Sequence, residues 1–443
     1  MKRLFAASIV CASMLLPNHG DAHAATSQVL GRDVISAMAN DVGVSVIVFF
    51  EDGGAPLSDL GARAASIEKN REAVLDQISP QEFRVTDTYR SISAVGGVVT
   101  YEGLKKLVRD YRVLKIDLDM PGHMALAEST DLVHARDVQA AGITGKGVVV
   151  AVLDTGVDSD HPDLADDLVN QQCFCTNADG TGCCPGGKTE ASGAGAAEDE
   201  QGHGTHVTGI ITSGGRVAPR GMAPDADIVA VRVLDKTGSA ASANQLLKAF
   251  DWIINTQPSV KIVNTSLVFG SFPGACDTTN SFTAAVAQAV NTLRARGTLT
   301  VSSAGNAANK KEIGAPACVS GAIAVGAVYD ANVGTISFGC TDAATAADKI
   351  ACFSNSSSAL DLLAPGAAIS SSGMGGGVAG FSGTSQAAPH VAGALALMLQ
   401  AKPTASADQL EAALKASGRP IADTNGITAP RIEVRSAVDQ IKK

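Results

Sequence analysis

The sequence is poor in aromatic residues and in charge. Only 4% of its 443 residues are aromatic, with a single Trp, and 18% are charged. Acidic residues (44) outnumber basic ones (34), and Lys and Arg form no local cluster, so neither nucleic acid nor an anionic membrane surface is an expected partner. A hydrophobic fraction of 45% excludes a disordered chain and predicts a globular protein with a sizeable core.

The sequence also lacks a terminal apolar run long enough to anchor it in a membrane. The only candidate covers residues 4–16, which is 13 residues, whereas a transmembrane helix needs about 20. Lys2 and Arg3 precede this run and Ala22-His23-Ala24 follows it, which predicts a secretory signal peptide over residues 1–24. We therefore expect an exported protein, extracellular or periplasmic, without a membrane anchor.

Eight cysteines lie beyond the predicted signal peptide, at positions 173, 175, 183, 184, 276, 318, 340 and 352. An even number of cysteines in an exported chain favours disulfide bonds. The expected pairs are two among the first four cysteines, Cys276 with Cys318, and Cys340 with Cys352. A zinc ion held by the first four is the alternative.

The region from Val44 to Asp119 predicts a small module. The predicted elements are a strand over 44–50, a helix over 59–78, strands within 83–100, a helix over 101–111 and a strand over 112–118. The order βαββαβ is that of a ferredoxin-like fold. Pro121 and the polar residues that follow predict a linker, and the texture of the sequence changes near Asp137.

Beyond that linker, short apolar runs alternate with helical patterns. Strands are predicted over 147–153, 227–234, 260–265, 298–303 and 319–328, and helices over 242–255, 281–296 and 384–400. Runs that are apolar on both faces predict a mainly parallel sheet covered by helices on both sides, which is a three-layer α/β domain. Ser242 and Gln245 predict a capping box, and the Cys-rich residues 170–200 predict a surface insertion.

Three potentially reactive side chains lie at boundaries between predicted secondary-structure elements. Asp154 ends a buried strand, His203 opens an apolar helix between glycines, and Ser385 follows a tight turn into another helix. Taken singly, each has a structural interpretation: Asp154 as a turn former, His203 as a buried polar residue or as half of a metal pair with His206, and Ser385 as a helix N-cap.

Two other hydrolase classes are disfavoured by the spacing of these residues. An α/β-hydrolase requires its base downstream of the nucleophile, and the only downstream histidine, His390, lies five residues on in the same predicted helix. A zinc protease requires histidines four apart with an intervening Glu, a pattern that His203 and His206 do not meet.

Three local motifs together resemble a known family. They are Val152-Leu153-Asp154-Thr155-Gly156, His203-Gly204-Thr205-His206-Val207-Thr208-Gly209, and Gly383-Thr384-Ser385-Gln386-Ala387-Ala388-Pro389. With these motifs in this order, the sequence from about residue 137 to 440 resembles the subtilisin-like serine peptidases, whose triad has the chain order Asp, His, Ser. The resemblance implies a secreted serine endopeptidase that acts on proteins or peptides, requires no cofactor for its chemistry and works as a monomer.

The resemblance also implies roles for individual residues. Ser385 would be the nucleophile, His203 the general base and Asp154 the residue that orients it. Asn306, at the end of a predicted strand, would donate to the oxyanion.

For substrate binding, the resemblance implies one wall of the pocket for the P1 side chain, the residue before the scissile bond, from the segment 264–267 with Ser266 and Leu267. Gly314 would lie at the pocket floor and leave room for a large apolar side chain. A broad or hydrophobic P1 preference is the expectation.

The sequence departs from the family pattern at three places. Val268 and Phe269 stand where the family has Gly directly after the pocket wall, and Gln386 follows the nucleophile in place of Met or a small residue. Relatives bind structural calcium through an Asp matching Asp163 and a loop after the His helix, but this loop, residues 212–219, offers no Asn or Asp. No metal ligands are therefore assigned, and structural calcium stays an open alternative that the sequence does not support.

The resemblance gives the predicted organisation of the whole chain: a signal peptide (1–24), an inhibitory propeptide (25–125) and a peptidase domain (126–443). Cleavage is expected between about residues 120 and 130, with Met124 and Leu126 as candidate P1 residues. Two alternatives stay open. The chain could be a catalytically silent secreted protein that binds peptides, or an inhibitor whose working part is residues 26–125.

Overall fold

The computed structural model describes residues 43–56, 58–119 and 129–443, together with residues 30, 34 and 38 and the backbone of residues 123 and 124. The predicted signal peptide and Leu126 lie outside the described residues. Among the helices described, none is both long enough and apolar enough to cross a membrane.

The N-terminal module, residues 43–119, has the predicted βαββαβ order. Its elements are β1 (Val44–Phe50), α1 (Leu60–Leu75), β2 (Phe83–Thr88), β3 (Ala94–Val99), α2 (Tyr101–Arg109) and β4 (Val113–Leu118). The strands form an antiparallel sheet in the order β2-β3-β1-β4. Val46 and Val48 belong to the module's own core, whereas Ile47 between them belongs to a core shared with the larger domain. Both faces of this sheet are therefore buried, one against its own helices and one against the larger domain.

The larger domain is built on a ten-stranded sheet. Its strands are β6 (Val149–Asp154), β7 (Leu168–Phe174), β8 (Glu190–Ser192), β9 (Asp227–Arg232), β10 (Val260–Thr265), β12 (Leu299–Ser303), β14 (Ala322–Tyr329), β17 (Leu362–Ala367), β20 (Arg419–Ala422) and β21 (Thr428–Arg431). The spatial order is β20-β21-β17-β14-β12-β10-β6-β9-β7-β8, and only the two outermost pairs are antiparallel. The predicted parallel sheet is confirmed.

Short strands outside this sheet shape its rim. They are β5 (His123–Met124), β11 (Leu267–Phe272), β13 (Ile313–Ala315), β15 (Ile336–Phe338), β16 (Cys340–Asp342), β18 (Ile369–Gly373) and β19 (Gly377–Phe381). Three of them, β13, β11 and β5, pair in that order into a small antiparallel sheet.

Helices cover both faces of the central sheet. They are α3 (Ala135–Ala140), α4 (His203–Thr212), α5 (Asn244–Thr256), α6 (Ser281–Ala295), α7 (Thr384–Ala401), α8 (Ala407–Ser417) and α9 (Val434–Ile441). Along β6, Val150 and Val152 pack with α4 and α7, whereas Ala151 and Leu153 pack with α5 and α6. This alternation explains why the strand is apolar at every position before Asp154, and it confirms the three-layer α/β architecture.

Two carboxylates of the N-terminal module lie at the N-termini of α5 and α6. Asp119 accepts hydrogen bonds from the backbone N–H of Ala243 (2.8 Å) and from the hydroxyl of Ser242. Asp117 accepts from the backbone N–H of Ser281. Helix N-termini carry unpaired N–H groups and a partial positive charge, so these carboxylates stabilise both helix ends. Burial raises the pKa of Asp119 to about 6, although both hydrogen bonds act to lower it.

The capping box expected from Ser242 and Gln245 is wrong. The N-cap of α5 is Ala243, which makes no side-chain capping bond, and the Nε2 group of Gln245 donates instead to the carbonyl of Thr176 (2.9 Å). The reason is tertiary: Asp119 from another module binds the hydroxyl of Ser242 and the N–H of Ala243. The Oγ of Ser242 then accepts from the N–H of Asn244 (3.0 Å) instead of from that of Gln245.

The disulfide prediction is confirmed. The pairs are Cys173–Cys184, Cys175–Cys183, Cys276–Cys318 and Cys340–Cys352. Because all four cysteines of the first group are oxidised, they offer no thiolates to a zinc ion.

The Cys-rich stretch differs from a simple surface insertion. Its first residues form β7, which pairs in parallel with β9 inside the sheet, and Gln171 and Gln172 in this strand are buried. These polar residues hide the strand from a hydrophobicity pattern. The residues that follow form the disulfide-linked hairpin at the edge of the sheet.

Loop length predicts that the disulfides contribute unequally to stability. Replacing Cys276 and Cys318, 42 residues apart, with Ala should lower the free energy of unfolding by about 2–4 kcal/mol. Replacing Cys175 and Cys183, 8 residues apart, should cost less, because the closed loop is shorter. Denaturant unfolding in a Ser385→Ala background, which prevents self-digestion, would measure both. An equal or larger loss for the shorter loop would contradict the prediction.

Candidate active site

The first predicted site residue, Asp154, is the last residue of β6 and is fully buried. Its Oδ1 atom accepts from the backbone N–H of Thr155 (2.8 Å) and lies 2.7 Å from Nδ1 of His203. Its Oδ2 atom is buried and has no hydrogen-bond partner within the described part of the chain. A buried carboxylate is costly unless it is paired, so the imidazole of His203 is its principal stabilising partner.

His203 is the first residue of α4 and is also fully buried. Its position depends on close packing between the helix and the turn after β6. The backbone N–H of Gly204 donates to the hydroxyl of Thr155 (2.8 Å), and a Cβ on Gly204 would lie 2.1 Å from the carbonyl oxygen of Gly156. Only glycine permits this approach, which brings the imidazole onto Asp154.

Ser385 is the second residue of α7 and is buried. Two reciprocal hydrogen bonds join it to the end of β10: Ser385 Oγ donates to the carbonyl of Ser266 (2.9 Å), and Ser266 Oγ donates to the carbonyl of Ser385 (2.7 Å). The side chain therefore lies at a helix N-terminus, where the helix dipole favours developing negative charge.

Asn306 follows β12 and faces the same helix N-terminus. Its Oδ1 atom accepts from both the backbone N–H (2.9 Å) and the hydroxyl (3.0 Å) of Thr384, the residue before Ser385. Its Nδ2 group is buried and makes no hydrogen bond to any residue that the structure describes. The amide is thus fixed through its oxygen, and its N–H donors remain available next to Ser385.

Two of the predicted substrate-binding residues lie in the small sheet β13-β11-β5, and the third directly precedes it. Ser266 precedes β11, Leu267 begins it, and Gly314 lies in β13. The backbone of residues 123 and 124 pairs antiparallel with β11, opposite Val268 and Leu267 respectively. The space expected above Gly314 is taken: a Cβ placed on Gly314 would lie 2.1 Å from Cγ1 of Val268.

Comparisons with known proteins show which proteins this chain resembles. The subtilase family model matches residues 145–430. Subtilisin E of Bacillus subtilis (strain 168) is 30% identical over 333 residues, 74% of this chain and 76% of that protein. The alkaline protease of Alkalihalobacillus alcalophilus is 32% identical over 365 residues, 81% of this chain and 83% of that protein. The solved structure of a cold-adapted subtilisin-like serine proteinase is 27% identical, covers 65% of this chain and 89% of its own, and has a TM-score of 0.49.

The chain belongs to the subtilase family. It is a serine-type endopeptidase, and its catalysis requires no cofactor. The family model covers Asp154, His203 and Ser385, and extends over almost the whole larger domain.

Two further histidines of this subtilase, His390 and His206, use both ring nitrogens in structural hydrogen bonds. His390 in α7 accepts from the backbone N–H of Ser129 at Nε2 (2.6 Å), so its Nδ1 donates to the carbonyl of Gln386 (2.7 Å). His206 in α4 contacts the carbonyl of Ala379 at Nε2 (3.2 Å) and the amide of Gln386 at Nδ1 (3.5 Å). Burial lowers the pKa of His206 to about 3 and that of His390 to about 4. Both are therefore neutral structural residues.

The calcium site of subtilase relatives does not fit this chain. The carboxylate of Asp163 is buried and accepts from the backbone N–H groups of Arg216, Val217 (3.0 Å) and Ala218 (2.7 Å). The guanidinium of Arg216 pairs with Asp166 and donates to the carbonyl of Pro162. Donors thus occupy the oxygens that a cation would need. The described residues also contain no group of three or more His, Cys, Asp or Glu arranged to hold a metal ion.

The sequence did not predict that two further residues, Thr384 and Val268, contact the predicted site residues. Thr384 orients Asn306, but a Thr within the nucleophile motif gives no separate signal. Val268 was noted only as a departure from the family pattern, and its contact with Gly314 depends on how β11 pairs with β13. The pairing could not be read from either segment alone.

The hydrogen bonds of Asp163 predict acid sensitivity and insensitivity to chelators. Although burial acts to raise its pKa, the three backbone donors lower it below the usual value. A lowered pKa favours the folded state above the ordinary value of about 3.9, and this stabilisation is lost as the pH falls through the lowered pKa.

We therefore expect Asp163→Asn to lower the free energy of unfolding at pH 7 by about 1.5–3 kcal/mol and to flatten its decline below pH 4. EDTA should leave the melting temperature of the wild-type chain unchanged. The measurement is thermal unfolding against pH in a Ser385→Ala background. A fall in melting temperature with EDTA, reversed by calcium, would contradict this interpretation.

Proposed function

We propose that this subtilase is a secreted endopeptidase, synthesised as a zymogen, that cleaves protein substrates with Asp154, His203 and Ser385. The observation that carries the proposal is the fully buried pair of His203 and Asp154, with 2.7 Å between Nδ1 and Oδ1. Burying a carboxylate and an imidazole together at a helix N-terminus costs desolvation energy. Such buried pairs are typical of functional sites.

The geometry supports a division of labour among these groups. With its Nδ1 proton donated to Asp154, His203 presents Nε2 as the basic nitrogen. In the proposed mechanism, this atom takes the proton of Ser385 Oγ as the oxygen attacks the scissile carbonyl, and then returns it to the leaving amine. Asp154 holds the ring in this tautomer and stabilises the imidazolium that forms.

The oxyanion would be bound by two donors. One is the Nδ2 group of Asn306, which is buried and uncommitted within the described structure, and the other is the backbone N–H of Ser385. Because Thr384 already fixes Asn306 through Oδ1, the donor requires no reorganisation as charge develops.

The pairing of residues 123–124 with β11 supports a zymogen. In the proposed organisation, residues 1–24 are the signal peptide, 25–125 the propeptide and 126–443 the peptidase domain. The propeptide would act as an intramolecular inhibitor: its sheet packs on α5 and α6, and its last described strand, β5, occupies the edge that a substrate peptide would join by β-augmentation.

The proposed substrates are proteins or peptides, with an apolar P1 residue and recognition mainly through their backbone. The four disulfides are consistent with action outside the cytoplasm, in a periplasm or the extracellular medium. We expect the mature enzyme to act as a monomer.

Autoprocessing provides the first test. The intact mass of the secreted wild-type chain should correspond to a protein that begins near residue 125, because the enzyme uses Ser385 to cleave off its own propeptide. The Ser385→Ala variant, expressed identically, should keep the propeptide covalently attached. Equal masses would show that another protease performs the cleavage. If the wild-type chain also failed to hydrolyse denatured casein, the silent peptide-binding protein would replace the endopeptidase.

The oxyanion role of Asn306 provides a second test. Asn306→Ala should lower kcat by about 10²–10³-fold with little change in KM, because the donor acts on charge that develops only in the transition state. Asn309→Ala is a matched control, since this Asn lies nearby but bonds Glu312 and the backbone instead. If KM of Asn306→Ala rose as kcat fell, or if Asn309→Ala lost as much kcat, Asn306 would have a structural role instead.

A further inference from the structure

We propose that Val268 narrows the P1 pocket of this subtilase, so that the enzyme cleaves after small residues such as Ala, Gly and Ser and discriminates against aromatic and long aliphatic side chains. The proposal rests on the proposed function, because it takes Ser385 as the nucleophile and β11 as the substrate edge. It refines the expected hydrophobic preference to small side chains.

Val268 points away from the core. Its neighbours in β11, Leu267 and Phe269, are both buried and belong to the core beside α5 and α6, whereas Val268 is only half-buried. Because side chains alternate along a strand, Val268 projects from the opposite face of β11, which is the accessible one.

That face is directly over Gly314. The strands β11 and β13 are paired, with Phe269 opposite Ala315. A methyl group on Gly314 would lie 2.1 Å from Cγ1 of Val268 and 3.2 Å from the carbonyl oxygen of Gly270. The volume that a glycine leaves at position 314 is therefore filled by the valine methyl from the neighbouring strand.

The filled volume adjoins the proposed catalytic groups on both sides. Val268 is two residues from Ser266, whose carbonyl accepts from Ser385 Oγ at 2.9 Å. Gly314 donates its backbone N–H to the carbonyl of Ala304 (3.0 Å), two residues before Asn306. A P1 side chain placed between nucleophile and oxyanion donor must enter this space.

Valine is unsuited to moving aside. Its branched Cβ restricts χ1 to few rotamers, and the pairing of β11 with β13 fixes the backbone that carries it. An aromatic P1 side chain would then require displacement of a paired strand, whereas the methyl group of alanine needs little space. In a hydrophobic pocket, each methylene group that fits or fails to fit changes kcat/KM by about 10–200-fold.

The chain's own sequence is consistent with such a pocket. The pairing of β5 with β11 runs to Met124, opposite Leu267. The next residues in the sequence are Ala125, Leu126 and Ala127. With a narrow pocket, we expect self-cleavage after Ala125 or Ala127 instead of after Met124 or Leu126.

The test is the kcat/KM of the secreted enzyme for peptide p-nitroanilides that are identical except for P1, as Ala, Val, Leu or Phe. The wild-type enzyme should favour Ala over Phe by at least about 10-fold. Val268→Gly, which reopens the space above Gly314, should raise the ratio of Phe to Ala by about 100-fold. The control Val333→Gly removes a valine that is 39% exposed and lies outside β11 and β13; it should leave the ratio at the wild-type value.

The outcomes separate this inference from the proposed function. A wild-type preference for Phe or Leu, or a Val268→Gly variant with an unchanged ratio, would overturn the narrow pocket while leaving the endopeptidase intact. No Ser385-dependent hydrolysis of any substrate would instead refute the proposed function. If Val268→Gly fails to fold, Val268→Ala should shift the ratio in the same direction by a smaller factor. The mature N-terminus gives an independent reading: a start after Met124 or Leu126 would count against the narrow pocket.

Discussion

The active arrangement depends on the buried hydrogen bond between Asp154 and His203. Neither group is stable in the interior alone, so β6 and α4 must meet closely enough to join them. Gly204 permits this, because any larger residue would collide with the carbonyl of Gly156. The sheet contributes because β6, β10 and β12 are neighbouring parallel strands, and residues just after β10 and β12 reach the N-terminus of α7. A mainly parallel sheet brings such ends together, which is why Ser266 contacts Ser385, and Asn306 contacts Thr384, from the ends of different strands.

The N-terminal module joins the larger domain through a second set of helix termini. Asp117 and Asp119 accept hydrogen bonds at the N-termini of α6 and α5, and Tyr89 and Ile47 extend the apolar core beneath them. Carboxylates at helix N-termini combine charge with a fixed direction, so the same contacts that hold the module also orient it. That orientation lets β5 reach β11 and pair with it.

Substrate selection is decided at a smaller scale than the fold. The sheet β13-β11-β5 offers backbone groups that any extended peptide could use, whereas in the proposed pocket the side chain of Val268 determines which P1 residues fit. The loop around Asp163 is another local feature of this kind. Backbone N–H groups bind the carboxylate of Asp163, and Arg216 binds the carbonyl of Pro162, where a cation would otherwise need these oxygens. Both features leave the architecture of a subtilase unchanged.

The sequence by itself determined five strands of the central sheet, three of the helices that cover it, the three-layer class and the motifs that contain Asp154, His203 and Ser385. These features are local: strands and helices follow from periodicity, and each motif is a turn with its own glycine and hydrogen-bonding needs. The sequence missed β7, whose buried Gln171 and Gln172 break the apolar pattern. Tertiary structure alone decided the N-terminus of α5, where Asp119 binds Ser242 and Ala243 while Gln245 bonds the carbonyl of Thr176. It also decided the pocket, because Val268 and Gly314 lie on different strands. Contacts of this kind depend on strand register and docking, which no periodicity within one segment encodes.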